Sequence, residues 1–263
     1  MPSMNQTKDV QNQYADDKNL AIRIKFHEMY SVDKRGIVGW MFEQYHFAPG
    51  DRMLELGCGN GNQWNGRIQD LPKGCTLHLS DFSEGMVGTV KEKYAAFENV
   101  SYEQIDIQNI PYEDDSFDVI IANHMLYHVP DLDGALAEVR RVLKTGGRFY
   151  ASTNSENGLW SYLCNALHHI DENVECFAKT YSFTLQNGYG ILRGHFEDVK
   201  RLDYVDALDI TNTQDLIDWI CSTISLAPFS PEQLVQIYNY FEAIRLKEGV
   251  IHIPKEAGMF VST

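Results

Sequence analysis

With 263 residues and 44% hydrophobic content, the chain can bury one large core, and a second domain is not required. Its formal net charge of −15, from 22 Lys and Arg against 37 Asp and Glu, argues against nucleic acid as substrate and favours a neutral or cationic small molecule. No apolar run approaches the ~18 residues of a membrane span, residues 1–19 are polar without a signal-peptide core, and the five cysteines are irregularly spaced, so a cytoplasmic protein with no membrane partner is expected.

In chain order, residues 18–30 carry Leu20, Ile24, Phe26, His27 and Tyr30 as a helical stripe, and residues 38–45 form a second helical run. Residues 1–48 are expected to form a helical lid. An apolar strand then runs from Met53 to Leu56 and stops on Gly57-Cys58-Gly59-Asn60-Gly61. Glycines at such a strand end let the backbone turn sharply and let a ligand approach where a Cβ would collide, which suits a nucleoside. A dinucleotide loop would need its third glycine at Asn62, and a phosphate loop would end in Gly-Lys-Ser or Gly-Lys-Thr where this chain has Asn62-Gln63-Trp64.

A second strand over residues 75–80 ends in Asp81, 24 positions after Gly57, where a carboxylate accepts from both ribose hydroxyls. The same Asp81 alternatively caps a helix beginning near Ser83. A third strand over 100–105 delivers Asp106 and Ile107. The fourth, 119–122, is apolar throughout, as in a sheet covered on both faces, and opens into Asn123, His124 and, four residues on, His128. An amphipathic helix over 132–143, with Lys144 set against its dipole, leads through Gly146-Gly147 to a fifth strand over 148–152.

Residues 154–189 hold Trp160, Tyr162, Phe177, Tyr181 and Phe183 and are too long for an ordinary loop, which predicts a helical cap. Residues 199–204 alternate like a strand, and 207–210 either extend it or form a separate piece. Helices are expected over 215–226 and over 231–247, the latter with Pro231 in its first position after Ser230.

Taken in order, Leu54-Glu55-Leu56-Gly57-Cys58-Gly59-Asn60-Gly61, Asp81, Asp106-Ile107, residues 110–118 and the Gly146-Gly147 turn resemble the class I S-adenosylmethionine-dependent methyltransferases in their small-molecule branch, over about residues 51–153. The resemblance implies an α/β fold: a Rossmann-like, doubly wound, seven-stranded sheet whose last strand, over 259–262, is antiparallel, with helices on both faces. It also implies a methyltransferase domain over 49–263 with cap insertions at about 154–190 and 211–258.

S-adenosyl-L-methionine is then the implied cofactor and S-adenosyl-L-homocysteine its product. Glu55, Gly57, Cys58, Gly59, Asn60 and Gly61 are expected to hold it, Cys58 for its small size and Glu55 by ordering the loop. Asp81, Phe82 and Met86 follow on the second strand and helix, Asp106 and Ile107 hold the adenine, and Asn123 and His124 lie at the fourth strand end. From the lid, Arg23 offers a planar fork to the methionine carboxylate, and Tyr14 a hydroxyl near the methyl group. His124 and His128 are the candidate catalytic imidazoles; the alternative for each is a brace for its loop. No metal is expected, because His168, His169 and Glu172 make no complete ligand set. Asn123-His124-Met125-Leu126 lacks the prolines of amino-methylating enzymes, and no cysteine follows a proline, which leaves a small-molecule acceptor. The alternatives are an NAD-dependent oxidoreductase and a non-catalytic S-adenosylmethionine-binding regulatory protein.

Overall fold

A short strand whose successive residues are all apolar, as over 119–122, pairs into a sheet only if both of its faces can be covered. The computed structural model describes residues 18–172, 174, 182–223 and 229–263. It pairs β1 (Arg52–Leu56), β2 (Thr76–Asp81), β3 (Val100–Gln104), β4 (Phe117–Asn123), β5 (Leu143–Asn154), β6 (Val199–Ile210) and β7 (Ile251–Ser262) in the order β3-β2-β1-β4-β5-β7-β6. β7 runs antiparallel to both β5 and β6, and the pairings among β1 to β5 are parallel. The order reverses between β1 and β4, so a crevice opens outside their carboxyl ends.

Adjacent residues of β1 go to opposite covered faces. Met53 faces a layer with Trp40, Trp64, Val90 and Tyr94, and Leu54 faces one with Leu136, Val139 and Phe149. The first layer is supplied by α2 (Gly36–Gln44) and α3 (Glu84–Tyr94), the second by α4 (Leu132–Val142). Caps fix where these helices start: Ser83 Oγ accepts from the Met86 N–H at 3.4 Å, and Asp131 Oδ1 from the Gly134 N–H at 3.0 Å.

A separate apolar cluster joins α1 (Lys18–Tyr30), α5 (Leu159–Ile170), α7 (Thr213–Cys221) and α8 (Pro231–Glu248) to the outer halves of β6 and β7, through Phe26, Leu163, Leu208, Trp219, Phe241 and Ile253. α8 begins with a reciprocal capping box between Ser230 and Gln233. A one-turn α6 (Gly188–Leu192) precedes β6.

Three local expectations are corrected and one open alternative is decided. Lys144 lies in β5, where its ammonium pairs with Asp118 at 2.8 Å instead of serving a helix end. Residues 207–210 extend β6 as one strand, and α7 runs over Thr213–Cys221 instead of reaching 226. β7 begins at Ile251, so residues 251–258, assigned above to a cap insertion, belong to the sheet. Pro254 disguised this: its stretch pairs only with β6, which leaves its other edge without a ladder, and an edge tolerates proline. Phe177 and Tyr181 of the predicted cap lie outside the described residues.

Candidate active site

The end of β1 turns on three glycines with φ of +71° (Gly57), +54° (Gly59) and +68° (Gly61), values that favour a residue without Cβ. A Cβ on Gly57 would lie 2.9 Å from the Met125 side chain, and one on Gly59 would lie 3.3 Å from Leu20 of α1. α1 therefore lies over the loop. Between them opens a cavity of about 650 Å³ whose wall includes Gly57, Cys58, Gly59, Asn60, Asp81 and Phe82. That volume is in the range of small-ligand sites.

Asp81 stands at the end of β2, with Oδ2 accepting from the Gly59 N–H and Oδ1 from the Ser83 N–H, each at 2.8 Å. Burial pushes its carboxyl up, and the backbone donors of Ser83, Gly59 and Phe82 work against that shift. It braces the turn into α3, whose N-cap is Ser83, and it lines the cavity. Asp106 and Ile107 also line the wall; Asp106 Oδ1 accepts from the Gln108 N–H at 2.9 Å.

Glu55 is almost wholly buried and receives the Gln63 amide and the Trp64 indole N–H. Burial raises its carboxyl to about 7 against those two donors. Gln63 Oε1 in turn accepts from Asn123 Nδ2 at 2.6 Å, and the same amide donates to the Tyr45 hydroxyl at 2.7 Å. Glu55 lines the cavity together with Gln63, which sequence reasoning did not single out as a site residue. Asn123 Oδ1 is buried with no hydrogen-bond partner among the described residues.

Two expected cofactor contacts are off the wall. Met86, only 1% exposed, is turned into the core by the Ser83 cap. Gly61 faces α3: a Cβ there would lie 2.8 Å from Tyr94 and 2.9 Å from Val90, so this glycine lets the helix approach the loop. Cys58 remains on the wall with its thiol pushed well up, by burial first and then by Asp81 and Glu55.

His124 and His128 both line the cavity. His124 holds φ +50°, uncommon for a residue with a side chain, and its N–H donates to the Ser152 carbonyl at 3.0 Å. Burial, then the charge of Lys255, lowers its imidazole to about 4. His128 closes a 3-10 turn, its ring 4.6 Å from that of Tyr127. Arg23 of α1 lines the wall and donates from Nε to the Asn19 carbonyl at 3.2 Å. Tyr14 lies outside the described residues. Away from the cavity, His168 Nε2 is 2.7 Å from the Val174 carbonyl, and the His169 ring lies tilted against that of Tyr240, 5.9 Å between centroids.

The opposite wall was legible only in fragments. His27, Trp160, Trp219 and Lys255 line it. Lys255 Nζ is 3.3 Å from both Asp206 Oδ2 and Ser31 Oγ, and Asp206 Oδ1 accepts from the Asp33 N–H at 2.9 Å. Burial lowers Lys255 and Asp206 opposes the shift; Asp206 stays below the usual carboxylate range despite burial, through the Asp33 N–H, Ser31 and the Ala207 N–H. This network ties the turn after α1 to the β6–β7 pair. A lysine within a strand that sequence had placed in a cap carried no signal of that role.

Residues 54–151 match the family model described as a methyltransferase domain. Over 147 residues the chain is 30% identical to sterol 24-C-methyltransferase ERG6B of Gibberella zeae, covering 56% of this chain and 34% of that one. Over 122 residues it is 38% identical to demethylmenaquinone methyltransferase of Staphylococcus epidermidis, covering 46% and 48%. The chain thus spans between a third and a half of the length of these curated relatives. Among solved structures, the [4+2]-cyclase SpnF superposes with a TM-score of 0.62 at 15% identity, over 100% of this chain and 97% of that one, a likeness of fold.

Proposed function

We propose that this chain, which carries a class I S-adenosylmethionine-dependent methyltransferase domain, transfers the methyl group of S-adenosylmethionine to a small-molecule acceptor by in-line displacement. The observation that carries the reading is the convergence of the Gly57–Gly59 turn, Asp81 and Asp106-Ile107, from three successive strand ends, on one wall of one cavity. The residues fit the cofactor: Gly57 and Gly59 present bare backbone to the cavity, and Asn123, also on its wall, offers a buried oxygen in want of a donor.

When bound, S-adenosylmethionine supplies an electrophilic methyl on a sulfonium. In this reading Asp81 accepts from the ribose hydroxyls, Asp106, Ile107 and Phe82 hold the adenine, and Arg23 meets the methionine carboxylate. Glu55 acts at one remove, fixing Gln63 and Trp64 beneath the loop. Alignment and exclusion of water are the main demands of such a displacement, and proximity supplies about 7–11 kcal/mol in favourable models. His124 and His128 stand on the acceptor side, and His124, held neutral by burial, is able to accept a hydrogen bond from an incoming nucleophile.

The relatives named for sterol and demethylmenaquinone methylation support a small, largely apolar acceptor. A net charge of −15 supports the same choice over nucleic acid. The cytoplasm is the proposed location, and among the described residues no helix is long and apolar enough to cross a membrane. The NAD-dependent alternative draws no support from the relatives named above. SpnF illustrates that this fold also occurs in a protein named as a cyclase, so the reaction must be measured.

The test is incubation with methyl-labelled S-adenosylmethionine and a fractionated metabolite extract, identifying labelled products by mass. A labelled small molecule is the expected result. Label in nucleic acid alone overturns the acceptor class, cofactor binding without transfer favours the regulatory reading, and heat of binding from NAD but none from S-adenosylmethionine overturns the methyltransferase reading.

A further inference from the structure

One end of the cavity is basic in a chain whose net charge is −15. His27 of α1, His124 just past β4 and Lys255 of β7 all line it. The three register one another's charge. Burial first, then Lys255 and His124, hold the His27 imidazole well below its ordinary value, with Arg23 adding to them and Asp206 alone opposing. Lys255 likewise follows burial in lowering His124. The other carboxylates nearby on the wall are engaged or exposed: Asp33 pairs with Arg35 at 2.9 Å, Glu256 Oε2 accepts from the Ser155 hydroxyl at 3.0 Å, and Glu28 is exposed on α1.

The nitrogens of this cluster are under-used by the protein. Lys255 Nζ has three protons to give, and its acceptors among the described residues are two, Ser31 Oγ and Asp206 Oδ2, each at 3.3 Å. That is long for a charge-assisted bond, which usually closes to about 2.7–2.9 Å. Asp206 is itself divided, because it also accepts from the Asp33 and Ala207 N–H groups and from the Tyr204 hydroxyl. Its side chain is wholly buried and absent from the cavity wall, whereas that of Lys255 keeps 9% of its surface and lines the wall. Neither ring nitrogen of His124, nor Nε2 of His27, has a hydrogen-bond partner among the described residues, and none of these three atoms is shut off from solvent.

We infer that this end of the cavity binds an anionic oxygen carried on an apolar body, with Lys255 as its counter-charge and His27 and His124 as flanking donors. A cationic ligand would add to the repulsion that Lys255 already exerts, and a wholly apolar one would cover the imidazole nitrogens without giving them a partner. An anionic oxygen answers both, accepting from the ammonium and from the N–H that a neutral imidazole retains. Ile24, Leu159 and Trp160 line the same cavity and suit the apolar body. A phenol or enol that ionises on binding gives its proton to solvent. Treating this ligand as the methyl acceptor rests on the methyltransferase reading above, and an oxygen already ionised would need no protein base.

The experiment is a spectroscopic titration of 4-nitrophenol, whose phenolate absorbs visible light, bound to the full chain loaded with S-adenosylhomocysteine. The expected result is saturable binding with the ionisation of bound nitrophenol moved down by about one pH unit or more, a preference of at least roughly tenfold for the phenolate. Benzoate should compete for the site and benzamide should not. The double variant Lys255→Met/Asp206→Leu, which replaces the ion pair by apolar groups, should return the ionisation to that of free nitrophenol. His27→Phe should return it part of the way. No saturable binding, ionisation at or above the free value, equal competition by benzamide, or a shift that survives in the double variant overturns the inference; should that variant fail to fold, an undiminished shift in His27→Phe does so in its place. S-adenosylhomocysteine affinity is measured separately by calorimetry. Its absence in the wild type would count against the methyltransferase reading instead, which separates the two failures.

Discussion

The backbone N–H of Gly59 donates to Asp81 Oδ2 at 2.8 Å, so the carboxylate proposed for the ribose also fixes the middle glycine of the turn. One side chain thus shapes the loop and presents the oxygens that the loop was opened to receive. Its other oxygen, on the Ser83 N–H, anchors the entry to α3 as well.

Asp81→Ala should therefore weaken S-adenosylhomocysteine binding by about ten- to a hundredfold, from about 1.5–3 kcal/mol for hydrogen bonds to a charged group. Calorimetric titration measures it. A loss under threefold would remove Asp81 from the proposed ribose site.

Gly61→Ala should act on the fold before it acts on the ligand. The left-handed φ costs roughly 1–2 kcal/mol for a residue with a Cβ, and the new carbon meets Tyr94 and Val90, both buried. Urea denaturation should show a drop of at least that size. Unchanged stability with lost cofactor binding would restore Gly61 to the cavity wall.

Stability should carry the signature of His124. Its imidazole is lowered from 6.5 to about 4, so below pH 6.5 the unfolded chain takes up a proton that the folded chain resists. The contribution is whole above pH 6.5 and falls by up to roughly 3 kcal/mol as pH drops toward 4. Glu55, raised to about 7, works in the opposite sense, stabilising most below 4.5 and less as pH rises to 7. The difference between wild type and His124→Gln isolates the histidine: it should change between pH 4 and 6.5 and stay level above 7. A level difference throughout would mean the imidazole titrates normally.

The Lys255–Asp206 pair should be far costlier to break than to replace. Asp206→Leu leaves a buried ammonium uncompensated and frees the Asp33 N–H, for an expected loss of about 3–5 kcal/mol. Lys255→Met in the same chain should recover part of it. A double-mutant cycle by urea denaturation measures the coupling, and additive losses would contradict the pairing.

How much of this was legible follows from range. The cofactor side was written in short stretches, because each strand and its terminal residue lie together in sequence and a glycine turn announces itself locally. Gly61 misled because the sequence shows that a glycine is needed but not whether ligand or helix comes close; Tyr94 and Val90 settle that only in three dimensions. Met86 misled because nothing local tells which face of α3 turns inward. The wall of His27, Trp160, Trp219 and Lys255 was unreadable for a different reason. His27, Trp160, Trp219 and Lys255 come from four distant segments, and their meeting depends on β7 being twelve residues long, which Pro254 concealed.

That length has a consequence for descent. The stretch matched by the family model ends at residue 151, while the wall bearing His27, Trp160, Trp219 and Lys255 is drawn wholly from outside it. That wall is thus mutable apart from the matched stretch, while His124 and His128, proposed for the acceptor side, lie within it. Selection can redraw it through α5, α7 and the outer arm of β6 and β7 while the Gly57–Gly59 turn, Asp81 and Asp106 stay as they are, so kinship over residues 54–151 carries little memory of what that wall receives.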